Sequence, residues 1–363
     1  MAADEAALVG PPSARSRRRL PGGVDPRGVG AGILAVAVAI LLVAAGSGGL
    51  RWFDAALTAY LFGTLFAIFA VTYRYIVWLQ RPPTRRLRQR GGEALRRRGS
   101  RVRNLARLAS LVTTQLVVQS FIRRRATSRW VAHQLVFWGC VLAALVTFPL
   151  VFGWLHFESV GQDAQQYRMY VAHWGVFEFA SRSVLGWLIF HALDIAAVLV
   201  LAGVFIFLAR RLRDPGALAV ERATDFLALA GLFAVSVTGL MLTVSNLWME
   251  GRFYSFLTAV HALTVILGLL YIPFGKLFHI FQRPANIGVE LYKEEGILGP
   301  PQRCRECGDA FASQLQIGDL KDILPELGFD YALPDGGNWQ DVCPRCRRRL
   351  VALAQSERVR GFG

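Results

Sequence analysis

Six histidines and five cysteines hold most of the chemistry that this sequence can offer. Four of the cysteines stand as Cys304-x-x-Cys307 and Cys343-x-x-Cys346, a spacing that closes a tetrahedral thiolate site. Four thiolates suit zinc, a single iron or an iron-sulfur cluster. The text around them runs CRECG at the first pair and LPDGGNWQDVCPRCRRR at the second. Arg347 to Arg349 and the insert at 317–329 tilt the choice towards structural zinc, with redox iron as the alternative. Cys140 lies in an apolar run and reads as a small core residue.

The histidines differ from the cysteines in where they fall. His191, His261 and His279 lie in or at the ends of apolar runs, and His133 lies just inside another. One such imidazole alone is most simply a hydrogen-bonded core residue. A set of them in hydrocarbon calls for partners, and a metal is the strong partner for paired neutral imidazoles. His261 and His279 are expected in one helix, 18 residues or five whole turns apart, so both point to one face and stand about 27 Å apart. His133 matches His279 in depth and His191 matches His261, an arrangement suited to haem iron at two levels. His156 and His173, with Glu158, Tyr167 and Tyr170, fall in a connection and are candidates for orienting a quinone or handling its protons.

These residues need elements to position them. The chain has 363 residues, of which 54% are hydrophobic and 18% charged, too apolar for an ordinary soluble domain. Apolar runs near 30–50, 53–79, 130–155, 184–209, 225–248 and 255–281 are each long enough to span a bilayer core of about 30 Å. The expectation is an all-α membrane protein of about six transmembrane helices in a haem-binding bundle, with a small C-terminal metal-binding domain whose text around the cysteines resembles zinc-ribbon and rubredoxin-like domains. No small-residue cleavage pattern follows the first run, so the N-terminus is expected to stay on.

The net charge of +16 excludes little until its placement is read. Arg15 and Arg17 to Arg19 precede the first run, fifteen arginines face the single acid Glu93 between 81 and 129, and Arg210, Arg211 and Arg213 follow the fourth run. All three segments fall on one side of a six-helix alternation, which makes that side cytoplasmic, puts both termini there and removes the case for nucleic acid. Domains are expected as a basic segment over 1–29, two spans over 30–80, a basic connection over 81–128, a four-helix core over 129–285 and the cysteine domain over 299–355. Within the connection, 104–122 is expected as a helix at the interface or docking a partner.

The stretches RWVAHQLVFWGCVLAALVTFPL, FHALDIAAVLVLAGVFIFLARR and VHALTVILGLLYIPFGKLFHIFQRPAN resemble the membrane cytochrome b subunits related to the nitrate reductase gamma subunit and the heterodisulfide reductase membrane subunit. The resemblance covers roughly 125–285 and is most specific at the His261-to-His279 spacing and YIPFGKLFH. It implies b-type haem held by paired histidines, exchange of electrons with menaquinone or another quinone, and a cytoplasmic iron-sulfur or molybdenum oxidoreductase as partner. One departure is Ala143, where the gamma-subunit pattern has a second histidine; either His191 replaces it or the outer haem is missing, so the expectation is one haem or two. No nucleophile with a base and no phosphate-cradling loop is present, so the chain reads as the membrane anchor of an oxidoreductase. The alternatives are a multi-helix transporter and a zinc-dependent membrane scaffold, neither of which holds haem.

Overall fold

Backbone in hydrocarbon must satisfy its own hydrogen bonds, so long apolar runs become helices. A computed structural model describes residues 23–97, 101–161, 165–213, 223–333 and 336–360; Arg15 and Arg17 to Arg19 lie outside the described residues. In chain order, α1 (Pro26–Gly46) and α2 (Thr58–Gln80) are followed by α3 (Pro82–Arg97), α4 (Arg101–Val112) and the short α5 (Ser120–Arg123). Then come α6 (Thr127–Val151), three strands, α7 (Val184–Phe190), α8 (Ala192–Arg213), α9 (Ala223–Trp248) and α10 (Tyr254–Tyr271). Six of the described helices are long and apolar enough to cross a membrane, namely α1, α2, α6, α8, α9 and α10, and the chain is a multi-pass membrane protein.

The chain divides into two units, one of residues 25–77 and 113–283 and the other of the remainder. In the first, α6 and α8 approach through small residues. A Cβ on Gly139 would stand 2.7 Å from Val200 Cγ2, and one on Gly203 would stand 2.6 Å from Val136 Cγ2. Ala132 and Ala196, fully buried, complete this reciprocal contact. Small residues let two membrane helices meet backbone to backbone, which fixes the turn of α6 that carries His133.

The connection after α6 is a sheet rather than a loop. Strands β1 (Leu155–Val160), β2 (Gln166–Val171) and β3 (Trp174–Ala180) form an antiparallel meander with His156 opposite Tyr170 and Glu158 opposite Arg168. Alternation sends His156, Glu158, Arg168, Tyr170 and Glu178 to one face and Phe157, Tyr167 and Phe179 to the other, where they meet Phe190 of α7.

The helix expected to carry both His261 and His279 is broken. Helix α10 ends at Tyr271, Pro273 follows without an amide hydrogen, and a 3-10 turn over Lys276–Phe278 leads into α11 (His279–Gln282). The five-turn phase between the two histidines therefore does not apply. Likewise the apolar stretch at 104–122 is divided, with α4 ending at Val112, a π turn over Thr113–Val117 and Gln119 in the left-handed region at φ 53°.

In the second unit, α12 (Ala285–Leu298) crosses α3 where a Cβ on Gly91 would stand 3.4 Å from Gly288 Cα. The cysteine domain follows as a hairpin of β4 (Pro301–Arg303) and β5 (Ala310–Ser313), then α13 (Gln314–Glu326) and α14 (Pro344–Arg360). Basic α3 is matched by acidic α13: Arg90 binds Asp319 at 2.8 Å, Arg86 binds Asp322 at 2.7 Å, and Arg85 binds Glu326 at 2.7 Å. Asp319 is buried, and the hydroxyl of Tyr292 on α12 is pushed up to about 12 by its own burial and by this carboxylate.

Candidate functional site

His133 of α6 and His279 of α11 line one cavity of about 750 Å³ in the helical unit, within the size range of small-molecule and cofactor sites. Its apolar walls include Val136, Phe207, Leu232 and Phe278, and its polar lining is Arg74, Arg211, Lys276, Gln282 and Arg283 beside Tyr271 and the two histidines. Among the described residues, no aspartate or glutamate lines it. The sequence reading placed His133 and His279 at one depth but missed Arg74, a lone arginine inside the apolar run of α2. Its signal was available: a charge in a span is costly and almost always faces an interior site.

The histidine rings are held in a consistent way. Nδ1 of His279 donates to the Lys276 carbonyl at 2.6 Å, and Nδ1 of His191 donates to the Trp187 carbonyl at 3.0 Å. Nδ1 of His261 lies 2.9 Å from Thr238 Oγ1, whose own hydrogen goes to the Ala234 carbonyl at 2.7 Å, so the imidazole is the donor. In all three the proton sits on Nδ1 and Nε2 keeps its lone pair, the arrangement that outer hydrogen bonds impose on metal-binding histidines. His133 differs, with a buried Nδ1 that has no hydrogen-bond partner. His191 caps α7 and stacks on Trp187 with centroids 4.8 Å apart, whereas His261 packs at Gly239 and Thr238 of α9; the two have separate neighbours.

The polar set on the sheet is only partly assembled. His156 is sandwiched between Trp52, 4.2 Å away, and Tyr170, 4.9 Å away, and both its ring nitrogens are buried without partners. Burial lowers its pKa, Glu158 raises it in part, and His173 lowers it further. Exposed His173 approaches the backbone at Gly48, and a Cβ there would lie 3.1 Å from its Cε1. Tyr167 faces the opposite, aromatic side of the sheet against Phe179 and Phe190.

In the cysteine domain the four sulfurs lie within 4.8 Å of one another and can hold one metal ion. The Cys307 and Cys343 sulfurs are 3.9 Å apart, close to the edge of about 3.8 Å expected for a tetrahedron of zinc-sulfur bonds and far from a disulfide. The first pair sits in a tight turn closed by a hydrogen bond from the Gly308 amide to the Cys304 carbonyl at 2.9 Å, with Gly308 at φ 76°, where a side chain would be strained. The second pair is not a second such turn. Cys343 precedes α14 and accepts the Cys346 amide at 3.4 Å, while Pro344 starts the helix, so these sulfurs stand at a helix N-terminus that favours thiolates. Burial alone would push the Cys304 thiol up, but the amides of Cys343, Cys307 and Glu306 outweigh it and bring it down to about 6.

The fold and these sites define a multi-pass membrane protein with a polar four-cysteine domain. Comparison with protein-family models, curated proteins and solved structures returns no match to the chain.

Proposed function

We propose that this protein is a membrane electron-transfer subunit that holds b-type haem between His133 and His279 and links the quinone pool to an oxidoreductase on its basic, cytoplasmic side. The observation that supports this most is the cavity: two imidazoles, apolar walls, four cationic side chains and, among the described residues, no lining acid. That lining complements an apolar macrocycle bearing carboxylates and an iron that takes imidazole. The orphaned Nδ1 of His133 and the free Nε2 of His279 fit the need for ring nitrogens without competing hydrogen bonds. Bound haem supplies a one-electron couple that no side chain here can supply.

The chain's own part is to bind, orient and exclude water. His133 and His279 would ligate, Arg74, Lys276 and Arg283 would face the carboxylates, and Phe207, Phe274 and Phe278 would keep solvent out. His191 and His261, with Nε2 free, extend the reading to a second haem. Quinone near His156, Glu158, Tyr170 and His173, and an iron-sulfur or molybdenum partner, complete it; in this reading Tyr167 holds the sheet rather than touching quinone.

The test is the reduced-minus-oxidised spectrum of protein purified from haem-replete cells, with haem and protein both quantified. A b-type alpha band is expected, and His279→Ala should remove about one haem per chain. A colourless wild type containing zinc would overturn the reading in favour of a scaffold.

A further inference from the structure

Arg74 enters the cavity from α2, six residues before that helix ends at Gln80. An arginine in a span costs free energy and persists where the bundle offers it partners. Among the described residues, its partners belong to the segment that breaks after α10. Its Nη1 donates to the Pro273 carbonyl, and its guanidinium carbon stands 4.2 Å over the ring of Phe278. Pro273 lacks an amide hydrogen and so interrupts the ladder of α10, and the amides of Phe274 and Gly275 both turn back onto the Tyr271 carbonyl, which leaves the Pro273 carbonyl open to a side-chain donor. Phe278, 2% exposed, directly precedes His279. Arg74 thus grips the start and the end of the turn that delivers His279 to the cavity.

We propose that Arg74 is a positioning residue that fixes the orientation of the His279 imidazole and places a permanent positive charge beside the group that this imidazole holds. The second half of the statement rests on the haem reading; the first half does not. A guanidinium can do both at once because its planar fork donates along one edge while its face lies on an aromatic ring. Lysine keeps the charge but has no fork and no flat face. Glutamine keeps a donor and loses the charge. The fixed charge stabilises the reduced, more negative state of the site, so its removal makes the site harder to reduce.

The experiment uses the full chain in detergent or nanodiscs, as wild type, Arg74→Lys, Arg74→Gln and Phe278→Leu. Hydrogen exchange of a peptide covering 272–282 reads the clamp with or without haem. Redox titration and the low-spin electron paramagnetic resonance spectrum read the charge and the imidazole geometry. Exchange should be faster in all three variants than in wild type. Arg74→Gln should weaken the reduced form about tenfold relative to the oxidised form, a negative shift of about 59 mV for one electron. Arg74→Lys should keep the potential closer to wild type and broaden the resonance. Should Arg74→Gln fail to fold, Arg74→Lys and Phe278→Leu carry the test. Haem-loaded variants with wild-type exchange, potential and resonance would overturn the proposal. A haem-free wild type whose Arg74 variants still exchange faster would overturn the haem reading and the charge while leaving the clamp.

Discussion

Asp319→Asn should loosen the contact between α13 and α3 by about 2 kcal/mol, and the value follows from how the carboxylate is held. Its side chain is 4% exposed and takes Arg90 Nη2 at 2.8 Å, with Arg86 Nε at 3.6 Å. Removing one partner of a fully buried ion pair costs about 3–5 kcal/mol because the survivor is stranded. Here the survivors are only partly stranded: Arg86 and Arg90 are each 27% exposed, Arg90 keeps Glu93 at 3.2 Å and Arg86 keeps Asp322 at 2.7 Å. Water and these remaining carboxylates keep both guanidiniums partly solvated and paired, so the stranding penalty falls below the fully buried range, to about 2 kcal/mol. In hydrogen exchange measured under fast-reclosing conditions, amides of α13 should then exchange about thirtyfold faster. Glu326→Gln removes an exposed pair of the same charge type, 43% and 45% accessible, and should change exchange less than about threefold. Equal effects of the two substitutions would refute the argument, since burial is the difference between them.

Two further outcomes follow from the cysteine domain and the sheet. Elemental analysis should find one zinc or one non-haem iron per chain at the four cysteines, and Cys343→Ser should leave less than about a tenth of it and speed exchange across 301–313, because the metal supplies folding energy. The His156 imidazole is neutral in its stack and its pKa is lowered by burial, so the fold binds fewer protons than the unfolded chain. Stability from that ring is present above the ordinary histidine value and lost as pH falls below it. The sheet should therefore be less protected at pH 5 than at pH 7.5, as read by exchange across 155–171 corrected for the intrinsic amide rate at each pH, and His156→Phe should abolish the difference; a difference of the same size in the variant would assign the acid sensitivity to another group.

Which of these features the sequence made legible depended on range. The six spans needed only a local count of apolar residues, and each run contains one of the six long helices, although the fourth is divided at His191 and the sixth after Tyr271. The four-cysteine site was legible because its spacing is local twice over, although the helix opening at Pro344 was hidden by reading both pairs alike. The sheet was legible and overlooked: LHFESV, QYRMYV and WGVFEFA carry alternating patterns, but their polar residues between two spans read as a solvated loop. The break after α10 was signalled by Pro273 and masked by the apolar run on both sides. What no local reading could supply was pairing across the chain, such as Arg74 with Pro273, 199 positions on, or Arg90 with Asp319, 229 positions on.

The arginines show why that range matters for function. On charge alone, the fifteen arginines between 81 and 129 describe a face that meets anionic headgroups, and every one of them counts towards topology. In the folded chain Arg85, Arg86 and Arg90 are spent on α13, and Arg107 meets Glu294 of α12. The same charges therefore have a second role that the topology rule does not describe: they fasten the metal-binding domain to α3. A change of metal state that disturbed α13 would be felt first at Asp319, since that buried carboxylate is shared by Arg86, Arg90 and Tyr292. The link from the cysteine domain to the basic helix thus runs through three acidic side chains, of which Asp319 is the buried one, and the comparison of Asp319→Asn with Glu326→Gln separates its share from that of an exposed pair.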